Sequence, residues 1–98
     1  MTVSRIAERV ASSFIRDIKY KMPKTVGKWK INEGRRRNDE SIIEYVALGG
    51  WTILIDLEHK NWGLTRDNKT IDAFKVSGEL SPARISRMLR ATQSMYDI

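Results

Sequence analysis

The sequence has no cysteine, one histidine and two prolines. Without cysteine there is neither a disulfide staple nor a thiolate metal site, which sets aside the small secreted scaffolds that depend on them. A lone histidine, His59, leaves no nucleophilic triad and no histidine zinc site. No apolar run approaches the roughly 20 residues of a membrane-crossing helix. Charges at Arg5, Glu8, Arg9, Arg16 and Asp17 interrupt the apolar core that a signal peptide needs. The expectation is a cytoplasmic protein with no membrane contact. Neither G-x-x-x-x-G-K-[ST] nor G-x-G-x-x-G occurs, so a nucleotide cradle lacks support. No cofactor and no metal are expected, and enzyme chemistry does not lead.

The 98 residues fit one domain, spanning 1–98, and a 41% hydrophobic share is enough for a core. That core is thin at this size and must rest on a few large anchors. The candidates are Trp29, Trp51, Trp62, Phe14, Phe74, Tyr20, Tyr45 and Tyr96. A homodimer through the central sheet is one way to bury more apolar surface.

Val3, Ile6, Ala7, Val10, Ala11, Phe14, Ile15 and Ile18 recur at three- and four-residue steps, which predicts an amphipathic helix from Val3 to Met22. Arg16 and Lys19 fall on its wet side, and Pro23 stops it. Val26 to Ile31 reads as a short strand and Asn32 to Asp39 as a loop. Ser41 to Leu48 and Trp51 to Glu58 read as a hairpin through Gly49-Gly50. Asn61 to Arg66 and Thr70 to Val76 form two more strands about Asp67-Asn68-Lys69, and Ser81-Pro82 opens a last helix. Its buried stripe is Ile85, Met88, Leu89, Met95 and Tyr96. The fold class is therefore α+β: a helix, a curled antiparallel sheet of four to five strands, and a helix.

The register of the central hairpin decides what its faces carry. A two-residue turn at Gly49-Gly50 pairs Leu48 with Trp51 and Glu44 with Ile55, and places Glu44 among Val46, Ile53 and Ile55. A loop one residue longer flips the relation: Glu44, Asp56 and Glu58 share one face, and Ile43, Tyr45, Ile53 and Ile55 the other. Hydrophobic matching favours the two-residue turn.

The net charge of +6 is unevenly placed. Residues 1–38 carry eleven Lys/Arg against three acids, residues 39–80 four against eight, and residues 81–98 three against one. Such segregation attracts phosphate or an acidic protein surface. Three constellations are available for chemistry. Arg35, Arg36 and Arg37 sit in a Gly-containing loop with Lys24, Lys28 and Lys30 upstream, a composition suited to phosphate contacts, and Trp29 between them can offer a stacking face to a base. The bland alternative is a solvated tip and a core tryptophan. Arg84, Arg87 and Arg90 open the last helix, where the dipole adds positive potential. This arrangement is similar in outline to the double-stranded-RNA-binding domain, a helix, three strands and a helix with basic residues opening the second helix. The chain departs from it in its extra strand and acidic central hairpin.

The third constellation is Glu44, Asp56, Glu58 and Lys60. Glu58-His59-Lys60 resembles the E-x-K half of the PD-(D/E)xK nuclease motif, with Glu44 in the place of the metal-holding acid; the usual Asp is replaced by Glu. That resemblance implies a Mg²⁺-dependent nuclease. The leading expectation is instead a non-enzymatic nucleic-acid-binding protein that contacts the phosphate backbone through Lys28, Lys30, Arg35, Arg36, Arg37, Arg84, Arg87 and Arg90. The alternative is a small protein-binding inhibitor, adaptor or virion-type accessory protein that engages a partner surface.

Overall fold

A computed structural model describes residues 14–98; the expected stripe residues Val3 to Ala11 lie outside the described part. Residues 14–21 are helical (α1). Strands follow at Thr25–Val26 (β1) and Trp29–Ile31 (β2), then a short helix at Glu33–Arg37 (α2). Four longer strands come next: Ile42–Ala47 (β3), Trp51–Asp56 (β4), Asn61–Arg66 (β5) and Lys69–Lys75 (β6). Pro82–Met95 (α3) closes the chain. The six strands form one antiparallel sheet in chain order, so the α+β expectation holds with a slightly higher strand count.

The added strand comes from Gly27. Val26 to Ile31 is not one strand but a tight hairpin in which Val26 pairs with Trp29, and Gly27 turns it in the left-handed region at φ +58°. The expected loop after it is partly helical as well. Asn32 caps α2 by accepting from the amides of Gly34 (3.1 Å) and Arg35 (3.3 Å). Glu33 opens the helix and three arginines end it, the order the helix dipole favours.

The two-residue turn is not the one adopted. Ala47 pairs with Trp51, Tyr45 with Ile53 and Ile43 with Ile55, so the loop is Leu48-Gly49-Gly50. Both glycines have positive φ, and Leu48 is left fully in solvent. Two gains outweigh the stranded leucine. The larger Tyr45 enters the core with its hydroxyl donating to the Pro23 carbonyl at 2.6 Å, and Glu44 leaves it.

One face of the sheet is covered. Trp29, Ile43, Tyr45, Trp51, Ile53, Ile55, Trp62 and Leu64 pack there with Ile18 and Met22 from α1 and Ile85 and Leu89 from α3. Trp29 is fully buried, and its indole N–H donates to the Leu89 carbonyl at 2.9 Å. Three expected anchors are not core: Phe14, Tyr20 and Phe74 are exposed. Lys19, expected on the wet side of α1, is buried instead (3% exposed). No described helix is long and apolar enough to cross a membrane.

Candidate nucleic-acid interface

The basic residues of the sequence divide into those the fold consumes and those it displays. The α2 segment consumes most of its own. The Lys19 ammonium reaches across from α1 and donates to three main-chain carbonyls: Arg35 (3.1 Å), Asn38 (3.2 Å) and Glu40 (2.6 Å). These include carbonyls at and beyond the end of α2, where a cation completes the hydrogen bonding that the helix cannot. Burial pulls the Lys19 pKa below its ordinary value, although the Glu40 carboxylate opposes that shift. Arg35 pairs with Glu40 (3.0 Å) and with Glu44 (3.1 Å), and Asn32 donates to the second oxygen of Glu44 (3.0 Å). Arg36 pairs with Glu33 (2.9 Å) and donates to the Met22 carbonyl (3.2 Å). Of the three arginines only Arg37 is exposed without an ion pair among the described residues.

Arg84 is consumed in the same way. Ser81 caps α3 through the Arg84 amide (3.2 Å), and the Arg84 guanidinium folds back onto the carbonyls of Ser77 (2.7 Å) and Glu79 (2.9 Å). It closes the loop before the helix rather than facing a ligand at the helix start.

The displayed set lies elsewhere. Lys30 points away from the core between the buried Trp29 and Ile31. Lys28 stands exposed on the β1–β2 turn, and its amide donates to the side-chain oxygen of Gln93 on α3 at 2.8 Å. The Gln93 side-chain oxygen occupies the place of a β-carbon on Gly27, so a side chain there displaces it, and the hydrogen bond clips the turn onto the helix. Arg90 lines the shallow cleft at this junction together with Gly27, Gln93 and Asp97. Arg87 is exposed one turn further back. The six steps from Arg87 to Gln93 span about 9 Å of helix. Lys28 and the Arg87–Arg90 row, some sixty residues apart in the chain, thus share one surface, whereas Lys30, paired with Val46, lies on the opposite face of the sheet. Gln93 makes the junction, and the only signal for it in the sequence is its place three residues after Arg90. Trp29 cannot stack on a base, since both its ring and its N–H are inside.

No protein-family model, curated protein or solved structure matches this chain.

The acidic constellation does not assemble. β4 ends at Asp56, so Glu58, His59 and Lys60 form a turn rather than a strand end. Asp56 closes that turn, accepting from the Ser41 hydroxyl (2.9 Å), the Glu58 and His59 amides (3.0 and 3.2 Å) and sharing a 2.9 Å contact with the His59 ring. Burial pushes the Asp56 carboxyl upward, but these hydrogen bonds together hold it below its ordinary value. The same carboxylate raises the His59 pKa, first through the hydrogen bond and then through its charge. Glu44 is on the same sheet face as Asp56, yet it is held by Arg35 and Asn32. Among the described residues no three metal-ligating side chains converge.

Proposed function

We propose that the protein binds the phosphate backbone of a nucleic acid, without reading bases and without catalysing a reaction. Lys28, Lys30, Arg37, Arg87 and Arg90 supply the contacts, while Arg35, Arg36 and Arg84 hold the fold. The observation that carries this reading is the Lys28–Gln93 clip, which sets an exposed lysine beside the Arg87–Arg90 row. Guanidinium and ammonium groups presented on a helix and a tight turn suit phosphate oxygens, and counterion release supplies the driving force.

The test is binding of mixed-sequence duplex DNA and RNA across a salt series. Affinity falls steeply with salt, and combining Lys28→Gln, Arg87→Gln and Arg90→Gln reduces the slope of log K against log salt by about 2–3, near one unit per lost phosphate contact. Salt-insensitive binding, or an unchanged slope in the triple variant, overturns the reading. A second reading, a protein-binding adaptor, is favoured by the sheet face opposite the helices. That face carries Ile42, Val46 and Leu54, which lie outside the core formed by the described residues. A homodimer through the central sheet draws on that same face. Tyr45 points the other way, into the core, and takes no part in that surface.

A further inference from the structure

β6 ends the sheet, and all seven of its residues are exposed. At about 3.3 Å per residue it offers roughly 23 Å of backbone with one side unpaired among the described strands. The opposite edge, β1, has only two residues and cannot serve in the same way. Natural edges are usually blunted by proline, short length, bulges or charged side chains, and of these β6 carries Lys69, Asp72 and Lys75. β6 has no proline, and its register shift lies towards its start, where Leu64 pairs with Asp72 and Thr65 with Thr70. From Asp72 to Lys75 the pairing with β5 is regular.

The regular half also borders a groove. Asp72 and Phe74 lie opposite Leu64 and Trp62, so they share the helix-covered face of the sheet. Between them and α3 is a groove of about 160 Å³ lined by Trp62, Leu64, Asp72, Phe74, Met88 and Met95. Phe74 is 44% exposed although its ring stacks on Trp62, and Met95 is 74% exposed. Flexible thioethers beside a fixed aromatic can adapt to an incoming aliphatic side chain. The Asp72 carboxylate makes no ion pair or hydrogen bond among the described residues.

We propose that an extended polypeptide segment of a partner protein adds to β6 as a seventh strand, placing an apolar side chain opposite Phe74 and a basic side chain two residues away opposite Asp72. Strand addition fixes the period: residues opposite an edge strand lie about 5 Å from its side chains, and alternate residues share a face. The apolar side chain enters the groove, and the basic one meets the free carboxylate. A second copy of this chain fits less well. A two-fold axis joining two such edges keeps helix face with helix face. With the regular halves in register, Asp72 then meets Asp72 or Phe74 of the other copy, never a lysine. The groove uses the Met88–Met95 side of α3, so this site is independent of the Arg87–Arg90 row.

The test uses a blocked nonapeptide of alternating threonine and valine in which one inward-facing valine is replaced by lysine, and its glutamate counterpart. Binding is read by amide hydrogen exchange of β6 and by chemical-shift titration of the full chain. The lysine peptide protects the Asp72–Lys75 amides and binds at least tenfold more tightly than the glutamate peptide. Asp72→Lys reverses that preference while leaving the unfolding midpoint near that of the parent. Protection by neither peptide at millimolar concentration overturns the proposal, as does a preference that Asp72→Lys leaves unchanged. Concentration-dependent dimerisation that protects β6 without peptide also overturns it, assigning the edge to a second copy.

Discussion

Replacing Lys19 with methionine isolates the contribution of one buried cation. The substitution keeps the length of the side chain and its packing beneath the 35–40 segment but removes three hydrogen bonds to main-chain carbonyls, at 3.1, 3.2 and 2.6 Å. A hydrogen bond involving a charged group contributes about 1.5–3 kcal/mol, so an upper limit of several kcal/mol is set by the geometry. Two effects reduce it. Asn38 and Glu40 are exposed residues, so their carbonyls can turn to water once the ammonium is gone. Methionine also escapes the desolvation that depresses the lysine pKa. The expected net loss is about 2 kcal/mol, or roughly 10 °C in Tm for a domain of this length. Urea unfolding followed by tryptophan fluorescence gives the first number, and thermal circular dichroism the second. Hydrogen exchange adds a local readout. The Arg36 amide, which donates to the Asn32 carbonyl at 3.0 Å, loses protection in the variant before the core strands do. If Lys19→Met is as stable as the parent and keeps the Arg36 amide protected, the ammonium does not organise this segment.

Glu44→Leu removes the partner of Arg35 and Asn32 and places an apolar side chain on the open sheet face. A loss of about 1–2 kcal/mol in urea, insensitive to Mg²⁺, is expected, whereas equal or greater stability returns Glu44 to an unfavourable buried site. The Asp56–His59 turn gives a pH dependence with two limbs. His59 has a raised pKa, so its contribution is complete below the ordinary imidazole value of 6.5 and fades as pH climbs through the raised one. Asp56 has a lowered pKa, so its contribution is complete above the ordinary carboxyl value of 3.8 and fades as pH falls through the lowered one. The urea midpoint of the parent therefore declines on the alkaline side relative to that of His59→Gln; parallel profiles for the two proteins contradict this.

Helix and strand identities were legible wherever periodicity and punctuation agreed. Ser81-Pro82 marked the start of α3 because an oxygen cap and a residue lacking an amide both suit that position. Asn61 to Arg66 was bounded correctly between two turns. Faces were less legible than elements. The pattern around Gly49-Gly50 is compatible with two registers one residue apart, and the choice depends on Pro23 and Arg35, neither of which lies in the hairpin. Lys19 failed for a related reason: a lysine on the edge of an apolar stripe is normally solvated, and only the three carbonyls brought over it by α2 make burial tolerable. Among the basic candidates, composition could not distinguish Arg84 from Arg87. They lie three residues apart on one helix, yet the loop at Ser77–Glu79 occupies the first and leaves the second to solvent.

Strand order that follows chain order has a kinetic meaning. Each strand of the sheet finds its partner within a short loop, so the meander can zip from any of its hairpins without closing a long stretch of chain. Helix α3 is different, because it grips the β1–β2 hairpin through Trp29–Leu89 and Lys28–Gln93, contacts that bridge 60 and 65 residues. Its docking carries the largest loop entropy in the described part of the chain and joins the first strands to the last helix. A nascent chain released from synthesis can therefore hold a paired sheet while the indole of Trp29 still awaits its carbonyl. Burial of that single side chain marks the moment at which the domain closes.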